Sequence, residues 1–79
     1  MSELDVLCVC AERYAMGGRT YVVGEVCEII KSHIKDLEDN TLYVIQEDIE
    51  RSTNFGMSMD KAEWDKLLKA IQVERMERI

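Results

Sequence analysis

Apolar residues recur along the chain at spacings of three and four positions, which is the period of an α-helix with one buried face. The pattern is clearest over residues 20–37, where valine, isoleucine and leucine fall on one broad side while Glu25 and Glu28 fall opposite. Thr20 stands where a helix cap is needed. Tyr21 lies on the polar side, where the core does not need an aromatic ring.

Residues 40–52 form the next predicted helix, with Asn40 or Thr41 as its cap. Its inner stripe consists of Leu42, Ile45 and Ile49. Its outer face carries three acidic residues, namely Glu47, Asp48 and Glu50.

The last helix opens with a capping box that runs from Asp60 to Glu63. Its inner positions are Trp64, Leu67, Leu68 and Ile71. Val73 and Met76 then fall on nearly the opposite side. A second apolar stripe usually covers another surface, so a homodimer is one interpretation and a frayed, unpacked helix end is the other.

Residues 3–16 allow two interpretations. As a helix, they would begin at the cap Ser2 and end at the glycine pair that starts at Gly17. The inner face of that helix would be Leu4, Leu7, Cys8, Ala11, Tyr14 and Ala15. As a strand, residues 6–10 have suitable β-branched content. We favour the helix, because a lone strand would leave its backbone hydrogen bonds unpaired.

These segments predict an all-α fold, a compact bundle of three or four helices, with a short N-terminal strand as the alternative. The 79 residues allow one small helical domain over positions 1–79. The start MSELDVL has no basic region and no apolar run approaches the roughly 18 residues that span a bilayer, so we expect no secretory leader and no membrane segment. The three cysteines are then reduced thiols in a cytoplasm.

Acidic side chains dominate the first part of the chain. The net charge is −6, and residues 1–50 hold eleven acids against four bases. This balance argues against direct binding to nucleic acid, whose backbone needs a basic surface. It suits a protein that meets a basic partner or one that simply stays soluble.

Nothing in the sequence indicates catalysis, so we predict that the protein is not an enzyme. The single histidine, His33, falls on the apolar side of its helix, where a core residue bonded to a carbonyl is the simpler interpretation. The Cys8-x-Cys10 spacing does not fit the usual zinc sites. We therefore predict neither a metal nor another cofactor.

The stretch from Glu12 to Tyr21 combines two arginines, two tyrosines and a glycine pair. The glycines can end a helix with a left-handed turn. The residues of the predicted binding patch are Arg13, Tyr14, Gly17, Arg19, Thr20 and Tyr21. Guanidinium groups and tyrosine rings can hold a partner's carboxylate, an anion or a base. The alternative is that both arginines pair with nearby acids such as Glu12 and Glu25.

The segments RYAMGGRTYVVGEVC and GMSMDKAEW resemble a group of small bacteriophage and prophage proteins with the pattern RYxxGxRTYxV followed by GMxxD and a tryptophan. The matching positions in the second motif are Gly56, Met57, Asp60 and Trp64. The resemblance implies action in the cytoplasm of an infected bacterium and supplies no mechanism.

Three functional hypotheses follow. The first is a phage-encoded inhibitor of host defence, such as an anti-CRISPR protein, that binds an immune effector complex stoichiometrically. Its acidic contacts would be Glu25, Glu28, Glu47, Asp48 and Glu50. The second is a sponge that sequesters a small signalling nucleotide at the arginine and tyrosine side chains. The third is a structural phage accessory protein.

Overall fold

Ser2 and Asp5 start the first helix, α1 (Glu3–Met16), because they form the two reciprocal bonds of a capping box. The Ser2 hydroxyl accepts from the Asp5 amide, and the Asp5 carboxylate accepts from the Ser2 amide. At the other end the Gly17 amide donates to the carbonyls of Arg13 and Tyr14. Gly18 follows with a φ of 101°, so the predicted left-handed glycine turn is confirmed there.

The structure is a computed structural model that describes residues 1–54 and 61–79. After α1, a 3₁₀ turn (Thr20–Val22) leads into α2 (Val23–Ser32). A second 3₁₀ turn (Ile34–Asp36) precedes α3 (Asp39–Asn54), and α4 covers Lys61–Glu77. Within the described ranges the chain is helical and contains no strand, which confirms the predicted all-α bundle and excludes the N-terminal strand.

In the bundle, helices α2 and α3 lie diagonally opposite each other. Helix α2 contacts α1 and α4, and helix α3 also contacts α1 and α4. Helices α2 and α3 therefore occupy opposite corners of the bundle. The buried apolar core draws on all four helices and consists of Cys8, Ala15, Val23, Val26, Cys27, Ile30, Leu37, Leu42, Ile45, Ile49, Trp64, Leu67 and Ile71.

The predicted inner face of α1 is right for Cys8 and Ala15, in part for Leu4 and Ala11, and wrong for its other two residues. Leu7 and Tyr14, which we placed inside, are 60% and 49% exposed. Asp5 and Glu12 are fully buried in their place, together with Cys8 and Ala15. Contacts with neighbouring elements set how a helix is rotated about its axis. Asp5 lies inside, where its carboxylate accepts from the Glu38 amide, whereas Glu12 is buried with no hydrogen-bond partner for its carboxyl group among the described residues.

The single helix predicted over residues 20–37 is also wrong. Thr20 makes no side-chain cap, because it lies in the 3₁₀ turn that precedes α2. The helix ends at Ser32, whose hydroxyl donates to the Ile29 carbonyl at 2.7 Å and competes with the next turn. His33 consequently stands half-buried at the helix end rather than in a core face, and Ile29 is 52% exposed.

The inner stripes of α3 and α4 are largely as predicted. Leu42, Ile45 and Ile49 are fully buried, although α3 starts at Asp39 rather than at Asn40 or Thr41. On α4, Trp64, Leu67 and Ile71 are buried, Leu68 is partly buried, and the second stripe of Val73 and Met76 is exposed. Asp60, with its capping box, and the motif residues Gly56 and Met57 lie outside the described residues.

Candidate functional site: two exposed surfaces of the bundle

The glycine turn after α1 folds Arg19 back onto the end of that helix. The Arg19 Nη1 atom lies 3.4 Å from the carbonyl oxygens of both Tyr14 and Gly17, and its Cζ atom lies 4.4 Å from the centre of the Tyr14 ring. A Cβ atom at Gly17 would come within 2.6 Å of Nη1, so the glycine makes room for the guanidinium. The arrangement is a cation–π contact on the surface.

Tyr21 completes this group from the following 3₁₀ turn. Its hydroxyl lies 3.3 Å from the hydroxyl of Tyr14, and the hydrogen bond between them raises the pKa of Tyr21. Tyr21 is 72% exposed. We call Tyr14, Arg19 and Tyr21 the tyrosine–arginine cluster. The predicted patch thus forms in part, with Gly17 as its support and Thr20 exposed beside it.

Arg13 leaves the predicted patch and turns toward α3. Its Nε atom donates to Asp48 Oδ2 at 3.1 Å, which raises the pKa of Arg13. Arg51 approaches the other Asp48 oxygen at 3.9 Å. The Asp48 side chain is only 13% exposed, so the prediction that it lies on the outer face of α3 is wrong. The two guanidinium groups that the nucleotide hypothesis requires therefore point to different sides of α1.

Glu12 is a buried residue that sequence reasoning did not assign to a site. Neither of its carboxyl oxygens has a hydrogen-bond partner among the described residues, and the side chain is fully buried where α1 faces α3. Burial, followed by the neighbouring Asp48 carboxyl group, raises the pKa of Glu12 to about 9. With that pKa Glu12 stays protonated at neutral pH, while the Asp48 side chain accepts the hydrogen bond from Arg13.

A second surface lies on the other side of the bundle, between α2 and α4. The exposed Ile29 side chain lies in a shallow groove with Glu25 and Glu28 of α2 and Glu63 of α4. We call these four residues the acidic groove. Lys31 lies 3.0 Å from Glu28, which leaves Glu25 as the acid on α2 without an ion-pair partner among the described residues.

The predicted acidic positions do not form one continuous face. Glu25 and Glu28 lie on α2, whereas Glu47 and Glu50 are exposed on α3 at the opposite corner of the bundle. On α3, Arg75 of α4 lies 5.4 Å from the centre of the Tyr43 ring and donates to Gln46 at 2.7 Å, and the Tyr43 side chain stays 47% exposed. In the part of the chain that the structure describes, Ile29 is 52% exposed in the acidic groove.

Ile29 and Glu63 were missed for a simple reason. The sequence pattern assigned Ile29 to the core, and only the premature end and rotation of α2 expose it. Glu63 comes from a helix more than thirty positions later, and no local spacing connects it to Glu25.

The described residues offer no group of three or more histidine, cysteine or acidic side chains that could hold a metal ion. Cys10 is exposed, whereas Cys8 and Cys27 are buried. Within the same ranges no helix is long and apolar enough to cross a bilayer.

The fold and these surfaces define a small all-α bundle with an exposed tyrosine–arginine cluster and an acidic groove. No protein-family model, curated protein or solved structure matches the chain.

Proposed function

We propose that the protein is a phage-encoded, non-enzymatic inhibitor that binds a basic host defence protein through the acidic groove, in the cytoplasm of the infected bacterium. The observation that supports this proposal is the exposed Ile29 surrounded by Glu25, Glu28 and Glu63. An apolar anchor with charged residues at its rim is the usual composition of a protein-binding surface.

The charge of the chain supports a basic partner. A net charge of −6 steers association toward positive surfaces, such as the groove that a CRISPR effector uses for nucleic acid. The resemblance to phage proteins supplies the setting.

The nucleotide sponge receives less support from the geometry. A phosphate would meet one guanidinium at the tyrosine–arginine cluster, because Arg13 is paired with Asp48. Arg19 already occupies one face of the Tyr14 ring, where a base would stack.

The proposal is tested in a bacterium whose active CRISPR system restricts a phage. Expression of the wild-type protein is expected to restore plaque formation, and the double substitution Glu25→Lys with Glu28→Lys is expected to abolish this effect. The matched control reverses two acids on α3, Glu47→Lys with Glu50→Lys, and should retain activity.

Equal activity of both double variants would contradict the role of the acidic groove, and absence of any rescue would contradict inhibition of that defence system. Adding cyclic dinucleotides to the purified protein tests the alternative function, the nucleotide sponge. A rise in its melting temperature would favour the sponge, because a ligand that binds only the folded state stabilises it.

A further inference from the structure

Helix α1 has an unusual distribution of side chains, since it buries two carboxyl groups while several of its large apolar side chains are exposed. Asp5 and Glu12 face the core, while Leu7 is 60% and Tyr14 49% exposed. Cys10 is exposed between them. Leu7, Cys10 and Tyr14 follow one another at spacings of three and four, which is the spacing of a seam between two packed helices.

The stripe has opposite charges at equal distances on either side of Cys10, so two copies of it can pair with each other. Glu3 precedes Cys10 by seven positions and Gly17 follows it by seven, so both continue the same side of the helix. The Arg19 guanidinium lies against Gly17, with Nη1 3.4 Å from its carbonyl oxygen. The stripe therefore has a carboxylate at one end and a guanidinium at the other. Neither Glu3 nor Arg19 has an ion-pair partner in the described part of the chain.

We propose that two copies of this chain associate through α1 in an antiparallel arrangement, with Cys10 at the two-fold axis. In that arrangement Leu7 packs beside Tyr14 of the partner subunit, and Glu3 faces Arg19 of the partner subunit. Both contacts occur twice, as an interface between identical surfaces requires. The antiparallel orientation also places opposite helix dipole ends side by side.

The dimer is expected to be weak and concentration-dependent. An α1 of 14 residues is about 21 Å long, and one helix pair of that length buries less than the roughly 800 Å² per partner of a standard stable interface. The acidic groove between α2 and α4 lies outside the contact. This inference therefore does not depend on the proposed function.

Chemical cross-linking of Cys10 tests the arrangement directly. A short bis-maleimide should join two wild-type chains, because Cys10 is exposed at the axis, whereas Cys8 and Cys27 are buried. The product should disappear in Cys10→Ser. Sedimentation over a wide range of protein concentrations should show a monomer–dimer equilibrium for the wild type.

Matched substitutions separate this contact from the rest of the surface. Leu7→Lys should give a monomer at every concentration, while Ile29→Lys, an equally drastic change at the exposed Ile29, should leave dimerisation unchanged. Glu3→Lys and Arg19→Glu should each weaken the dimer severalfold, and the two together should restore it. Circular dichroism checks that each variant keeps its helices.

A wild-type protein that stays monomeric, or a dimer that survives Leu7→Lys, would overturn the proposal. The two proposals fail separately. Ile29→Lys should lose inhibition of host defence and keep the dimer, so loss of inhibition alone leaves the α1 contact standing.

Discussion

The carboxylate of Asp5 accepts a 2.8 Å hydrogen bond from the backbone amide of Glu38, which joins the start of α1 to the turn before α3. The same carboxylate accepts bonds from the hydroxyl and the amide of Ser2. These bonds, with the Ser2 hydroxyl first, lower the pKa of Asp5 well below its ordinary value of 3.8. One buried acid thus holds two elements that are 33 positions apart.

We predict that Asp5→Asn lowers the free energy of unfolding at neutral pH by about 1–3 kcal/mol, because an amide cannot accept all three bonds. Because the pKa of Asp5 is lower in the folded protein than in the unfolded chain, its carboxylate contributes its full stability only above the unfolded-state pKa. That contribution is lost as the pH falls below about 4. The difference between variant and wild type should therefore shrink in acid. Urea unfolding at neutral and acid pH, followed by the fluorescence of Trp64, the single tryptophan, measures the free energy of unfolding of both proteins. Asp65→Asn, at an exposed position of α4, serves as the control and should match the wild type.

Glu12 should give the opposite pH dependence. In the folded protein the Glu12 carboxyl group keeps its proton up to a pH of about 9, whereas in the unfolded chain it loses the proton near its ordinary pKa of 4.5. Stability is therefore predicted to fall as the pH rises between these two values. The Glu12→Gln side chain cannot ionise. The free energy of unfolding of this variant should therefore exceed that of the wild type by on the order of 1–3 kcal/mol at about pH 8, and by much less at about pH 5.

Melting temperatures at those two pH values check the Glu12 prediction. A gain of this size corresponds to several degrees in a domain this small. The exposed Glu47→Gln is the control and should show no pH-dependent difference. If Glu12→Gln and the wild type lost stability in parallel with rising pH, the buried neutral acid would be excluded.

Two arginines should differ sharply when each is replaced by alanine. Arg78 donates to the Ile34 carbonyl at 3.0 Å and to Glu74 at 2.9 Å, and its side chain is only 23% exposed. Arg78→Ala is expected to cost about 1–2 kcal/mol, since it removes both bonds and leaves Glu74 with Lys35 as its remaining ion-pair partner. Arg19→Ala should keep the fold and the unfolding free energy nearly unchanged, because Arg19 lies on the surface. Thermal denaturation followed by circular dichroism compares the two, and a larger loss for Arg19→Ala would show that the tyrosine–arginine cluster is part of the scaffold.

The exposure of Ile29 can be tested with a pair of identical substitutions. Ile49→Ala removes a fully buried side chain and should cost about 2–5 kcal/mol through lost burial and the cavity left behind. Ile29→Ala should cost less than about 0.5 kcal/mol, as is usual for a surface position. Chemical denaturation midpoints compare the loss of stability in the two variants. Similar losses would mean that Ile29 belongs to the core.

The period of the apolar residues was enough to predict most of the fold. The stripe of Leu42, Ile45 and Ile49 and the caps around Ser2 and Gly17 are local features, because each depends on residues within a turn or two. The same patterns located the tyrosine–arginine cluster, since Tyr14, Arg19 and Tyr21 lie within eight positions of one another. They did not predict which way Arg13 points, because its partner Asp48 is 35 positions away.

The sequence by itself therefore determined where helices form and where the chain turns, because hydrogen bonding and capping act between near neighbours. Only the tertiary structure decided how each helix is rotated about its axis. That rotation placed Asp5 and Glu12 inside and left Leu7 and Ile29 outside. Each helix takes the orientation that gives the whole bundle the lowest free energy, and contacts between distant positions, such as Asp5 with Glu38 and Arg13 with Asp48, exist only in that packed arrangement.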